Sequence, residues 1–170
     1  MAHGAVSEYD DLTKLALIAG ITDKEGRFYQ LLDDKWILSK ETSAFGDGNT
    51  LFLVLDAHAN KGIMSLRCME KETKFILNLN EYMGSEPMRL EYKIDDTPIT
   101  EVEANPSKDG QLVFMPNSIE FIKSLFGKKK LAIRVAPYNK SKTERVYDIS
   151  GIENVIEPLA QECGWSVKAQ

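Results

Sequence analysis

Hydrophobic positions along the chain change their period twice. Over residues 7–21, Leu12, Leu15, Ala16 and Ala19 recur at helical spacing. Asp10 and Asp11 stand at the positive end of that helix, and Gly20 can stop it. A second short helix is expected over 24–32. From Trp36 onward the period becomes two. Residues 36–39, 50–56, 62–68, 74–79, 88–94 and 130–136 alternate, and Leu51/Leu53/Leu55 and Leu90/Tyr92/Ile94 give the clearest inner faces. Weaker strands are expected at 99–103, 111–114 and 145–149. Turn residues separate them at 46–49, 60–62, 95–96 and 105–110. Asn117 with Glu120 reads as a capping box opening a helix over 118–126, which Gly127 ends. Ser150 with Glu153 reads as a second box, opening a terminal helix that Gly164 ends, with Pro158 predicting a kink inside it.

Successive strands joined by short turns suit an antiparallel sheet better than a parallel one. The expected fold class is therefore α+β, mainly antiparallel β (a sandwich or half-barrel), with N-terminal helices, one inserted helix and a C-terminal helix. No repeat or linker divides the strand-bearing part. The expected organisation is a tail and helix over 1–20 and a single β-rich domain over 21–170.

Composition narrows the class. A chain of 170 residues with 43% hydrophobic and 28% charged positions can bury a real core and is neither disordered nor membrane-like in make-up. The longest uncharged apolar runs, 15–21 and 51–55, are too short to cross a bilayer. Residues 1–11 lack a charged segment followed by an apolar one, so no leader is read there. A net charge of −5 argues against nucleic acid, and Lys128, Lys129 and Lys130 read as a solvated turn.

No catalytic, cofactor or metal motif is found. The histidines are His3, near the start, and His58, in a turn after a strand. His58 beside Asp56 has the parts of an oriented base, but no serine or cysteine stands in a nucleophile motif, and a surface turn histidine is the simpler reading. Two cysteines and two histidines at these spacings match no zinc pattern. Gly46-Asp47-Gly48 lacks the lysine and helix of a phosphate loop. Candidate partner-binding residues are Tyr82 and Met83, in a partly apolar loop, and Arg67, Arg89 and Asp95, set outward from strand faces. With Arg134 and Glu91 the arginines form either a recognition patch or a cross-strand ion-pair ladder, the ladder being favoured.

Cys68 and Cys163 are the only cysteines, and each lies on the apolar side of its element. Met64, Leu66 and Cys68 share one strand face, while Ile152, Val155, Ile156, Leu159 and Cys163 form one helical stripe. Both sulfurs should enter one core. That is compatible with a disulfide in an oxidising compartment or with two buried free thiols in a reducing one.

The order of several segments resembles the VasI/TagO-like family associated with type VI secretion. The resemblance is carried by Trp36 before Ser43, Asp47 and Thr50, by Arg67-Cys68 and Thr73, by Tyr92-Lys93-Ile94-Asp95, and by Gly151-Ile152 through Cys163-Gly164-Trp165. It covers roughly residues 21–165. Family members often carry an additional cysteine segment, absent here around Arg27–Asp33, and Lys93 stands where arginine is usual. The resemblance implies a Cys68–Cys163 bond and export to the periplasm or beyond. It transfers no catalytic residue. The expected function is that of a noncatalytic, exported accessory or adaptor with a protein partner in the cell envelope, possessing no cofactor and no membrane span. The alternative is a periplasmic ligand-binding or enzyme-inhibitor domain; an enzyme centred on His58 comes third.

Overall fold

The computed structural model describes residues 9–57 and 62–168; His3 and His58 lie outside them. Helix α1 (Asp11–Ala19) leads into β1 (Ile21–Thr22), β2 (Phe28–Leu32), β3 (Trp36–Thr42), β4 (Asn49–Asp56), β5 (Ile63–Met69) and β6 (Glu72–Asn78). There follow β7 (Met88–Ile94), β8 (Thr100–Pro106), β9 (Val113–Phe114), α2 (Ser118–Ser124), β10 (Lys130–Val135) and β11 (Thr143–Asp148). Two short helices, α3 (Ile152–Val155) and α4 (Glu157–Glu162), complete the described elements. The class is α+β, dominated by one antiparallel sheet in the order β1-β2-β3-β4-β5-β6-β9-β8-β7-β10-β11.

The first six strands form a simple meander, as turn-linked alternating segments should. The second group, β7, β8, β10 and β11, joins it only through β9, which pairs two residues with β6 and two with β8. Helix α2 reinforces this narrow join. The Phe121 ring meets Phe75 of β6 and Tyr92 of β7 edge-on, each with centroids 4.9 Å apart. Ser118 Oγ accepts from Phe75 N at 2.9 Å and donates to Met115 O at 2.9 Å.

The sheet curls, so that its concave face encloses the main core around Trp36, Leu53, Met64, Leu66, Phe75, Leu90 and Tyr147. Its two ends approach each other. Lys35, in the β2–β3 turn, meets Asp148 Oδ1 at 3.0 Å and donates to Ser150 Oγ at 2.7 Å. Arg145 of β11 donates to Leu79 O at 3.2 Å. On the convex side, α1 builds a separate small core from Leu17, Tyr29 and Leu31, with Tyr9, Ile21 and Ile37 packed around it.

Four local expectations are corrected. Residues 24–32 form no helix but the β1–β2 hairpin. Asp23 Oδ1 accepts from the N–H groups of Glu25 and Arg27 at 3.0 and 2.9 Å, and Gly26 takes φ +83°, so a side-chain-stabilised turn displaces the helix. Neither proposed capping box forms. Asn117 and Gly151 occupy the N-cap positions of α2 and α3 in left-handed conformations without side-chain caps, and Ser150 Oγ bonds Asp148 instead. The apolar face of α1 predicted from Leu12, Leu15, Ala16 and Ala19 points to solvent, and Leu17 is the residue buried. The terminal helix is broken outright between Val155 and Glu157, ahead of Pro158.

Candidate functional site

Strand register places Phe28, Lys40, Leu51, Cys68 and Thr73 side by side in one row across β2 to β6, on the concave face. The far end of this row holds the C-terminal segment. Cys68 is bonded to Cys163, the residue that ends α4, with Cα atoms 5.8 Å apart, inside the usual span for a disulfide. Next to it, Trp165 Nε1 donates to Thr73 Oγ1 at 2.9 Å, and Lys123 Nζ of α2 stands 5.6 Å from the Trp165 ring centre. Leu159 and Ala160 of α4 are buried against the sheet.

The near end of the row is uncovered. Between α4 and strands β2–β4 lies an open cavity of about 740 Å³. Its floor is Leu38 and Leu51, with Phe28 at the side and Pro158 and Gln161 on the α4 wall. Lys40, Thr42 and Lys71 stand at its rim. Lys71 is engaged: Nζ meets Glu162 Oε2 at 3.1 Å and donates to Glu162 O at 2.9 Å. The same carboxylate accepts from Asn49 Nδ2 at 2.9 Å. These bonds, Asn49 first and Lys71 second, hold the Glu162 carboxyl below its ordinary range. Lys40 is exposed and makes no ion pair among the described residues.

The sequence-selected contact residues do not gather in one patch. Arg67 is on β5, where its guanidinium lies 5.8 Å from the Phe114 ring centre, and its buried Nε has no hydrogen-bond partner among the described residues. Arg89 is on β7, separated from β5 by β6, β9 and β8, and approaches Glu101 at 3.8 Å. Asp95 accepts the N–H groups of Lys129 and Lys130 at 3.0 and 2.8 Å, and the Lys130 bond leads in lowering its pKa. Tyr82 is half exposed and meets Tyr138 edge-on at 5.6 Å, whereas Met83 is buried. The ladder exists around Glu91. Arg134 at 2.8 Å and Lys142 at 2.7 Å clamp this carboxylate and pull its pKa down to about 2, with Arg134 the larger influence. The cavity was missed from sequence. Its lining comes from three strands, two turns and a helix, and only the observed register brings those residues together.

Among the described residues no group of three or more His, Cys, Asp or Glu side chains could hold a metal, and no helix is long and apolar enough to cross a membrane. What fold and surface define is a small β-sheet domain, curled around one core and fastened covalently to its last helix. The chain belongs to the VasI family, described as "Type VI secretion system VasI, EvfG", whose pattern matches residues 32–165. No curated protein matches the sequence. Among solved structures, the chain is similar in fold to the crystal structure of invasion associated protein B from Bartonella henselae, with a TM-score of 0.53 and 12% identity. That match covers 78% of this chain and 97% of the other.

Proposed function

We propose that the protein is a noncatalytic, exported accessory or adaptor of the bacterial cell envelope, working with type VI secretion through contact with a protein partner. The observation that carries this reading is the family match, which spans nearly all of the strand-bearing part of the chain. A disulfide across the fold supports an oxidising, extracytoplasmic setting, because such bonds persist there and are rare in the cytosol. Contact is assigned to exposed Tyr82 and Arg89 and to Arg67, with Met83 anchoring the Tyr82 loop from the core and Asp95 fixing the end of β7. A ligand-binding reading is favoured by one observation, the cavity beside α4.

The adaptor reading is tested by a photo-crosslinking residue at position 82 in secreting cells, with position 47 in the β3–β4 hairpin as control. The expected result is one discrete adduct with a component of the secretion apparatus, from position 82 only. No adduct, or the same adducts from both positions, overturns it.

A further inference from the structure

We propose that the cavity between α4 and strands β2–β4 binds a small amphiphilic anion: a single carboxylate carried on an apolar body. This goes beyond the adaptor reading and needs no protein partner.

The argument starts from the cross-sheet row. Helix α4, six residues long, reaches across only part of that row. Here α4 is pinned over the Cys68–Thr73 end by the Cys163 bond and the Trp165 hydrogen bond, so the Phe28–Lys40 end stays open. The opening is a concave space of about 740 Å³, within the range of roughly 300–1,000 Å³ usual for small-molecule sites. Its floor and sides carry leucine, phenylalanine and proline, which favour an apolar body.

The rim decides the charge. Among the described residues it holds two lysines and one carboxylate, and that carboxylate is already shared by Lys71 and Asn49. Lys40 is left as an ammonium beside an apolar wall, able to give a carboxylate a charge-assisted hydrogen bond. Thr42 supplies a neighbouring hydroxyl, and Gln161 an amide on the opposite wall. One free cation suits one negative charge. A cationic amphiphile would meet Lys40 and Lys71 unfavourably, and a neutral one would leave Lys40 unused.

The test uses the intact, disulfide-bonded protein, titrated with two acid probes and their uncharged counterparts. These are decanoate against decanol, and N-acetyl-Leu-Phe with a free carboxylate against its amide. Binding is read calorimetrically and by amide chemical shifts at Phe28, Leu38 and Leu51. At least one acid should bind, its uncharged counterpart being about two- to fivefold weaker, the span of one solvent-exposed charge pair. The tighter acid identifies the source as lipid-like or peptide-like. Lys40→Glu should erase the preference for the acid, whereas Lys93→Glu, on the outer face of β7, should leave it. Binding of neither acid, equal binding of acid and counterpart, an unchanged preference in a folded Lys40→Glu protein, or shifts confined to other parts of the molecule each overturns the proposal.

Discussion

Helices α1 and α4 lie against the same sheet but are held in opposite ways. Helix α4 is tied by a covalent bond at its last turn, by the Trp165–Thr73 hydrogen bond, and by Glu162 bridging to Asn49 and Lys71. Helix α1 rests on one buried side chain, Leu17, while Leu12, Leu15 and Ile18 are 80%, 63% and 52% exposed. Its N-terminus is capped locally, with Asp10 Oδ1 accepting from Thr13 N at 2.7 Å. The contrast separates two uses of a helix. One is built into the wall of the domain and cannot leave it. The other can detach at the cost of a small satellite core, without disturbing the enclosed interior.

The strongest way to break this contrast is to remove the staple. In the chain-entropy picture a bond closing about a hundred residues contributes roughly 4–5 kcal/mol. Replacing both Cys68 and Cys163 by alanine, or reducing the bond, should lower the melting temperature by about 10 °C or more. Amide exchange should then rise in α4 before it rises in α1. A melt unchanged by reductant would show that packing alone holds α4.

A smaller effect is expected at the other helix. Leu17→Ala deletes the one fully buried aliphatic side chain of α1, a change of about 2–4 kcal/mol. Amide exchange should accelerate in α1 and β1 and stay unchanged in α4. On the same helix Leu15→Ser should alter stability by no more than about 0.5 kcal/mol, as an exposed position does. A larger loss at Leu15 would mean that this face is covered in solution.

Acid gives the smallest and sharpest comparison. Asp10 caps α1 and Glu162 ties α4, and hydrogen bonds hold both carboxyls below their ordinary values. Asp10 is lowered chiefly by Thr13, and Glu162 chiefly by Asn49. A depressed folded-state pKa contributes stability above the unfolded value, and that contribution is lost as pH falls through the folded one. Acidification below the ordinary carboxylate range should therefore fray α1, while α4 loses its polar ties but stays tethered. Residue-resolved exchange across that range checks the order. Equal loosening of both helices would remove the distinction.

The core strands were the most legible part of the sequence. Alternation at 88–94 found the buried face directly, because that strand has one wet and one dry side, and Leu51, Leu53 and Leu55 were found too although Val54 on the opposite face of β4 is also buried. The two cysteine faces were read correctly for the same reason, and Pro158 marked a real break. Errors arose where short polar residues acted locally. Phe28, Leu31 and Leu32 fit helical spacing, but Asp23 and Gly26 had already fixed a hairpin turn. Ser150 and Asn117 resembled helix caps, yet tertiary partners and left-handed backbone used those positions differently. In α1 the larger apolar set lost to Leu17, since tertiary contact with Tyr29 and Leu31 outweighs the count of apolar residues on a face. The cavity depended on register across several strands, which no single segment records.

The place of Cys163 in chain order also bears on biogenesis. It follows all eleven described strands, so a polypeptide made from its N-terminus presents Cys68 long before a partner thiol exists. The bond can close only after every described strand has been made, so it forms late in the chain's own order. A chain stalled between Cys68 and Cys163 keeps one unmatched thiol.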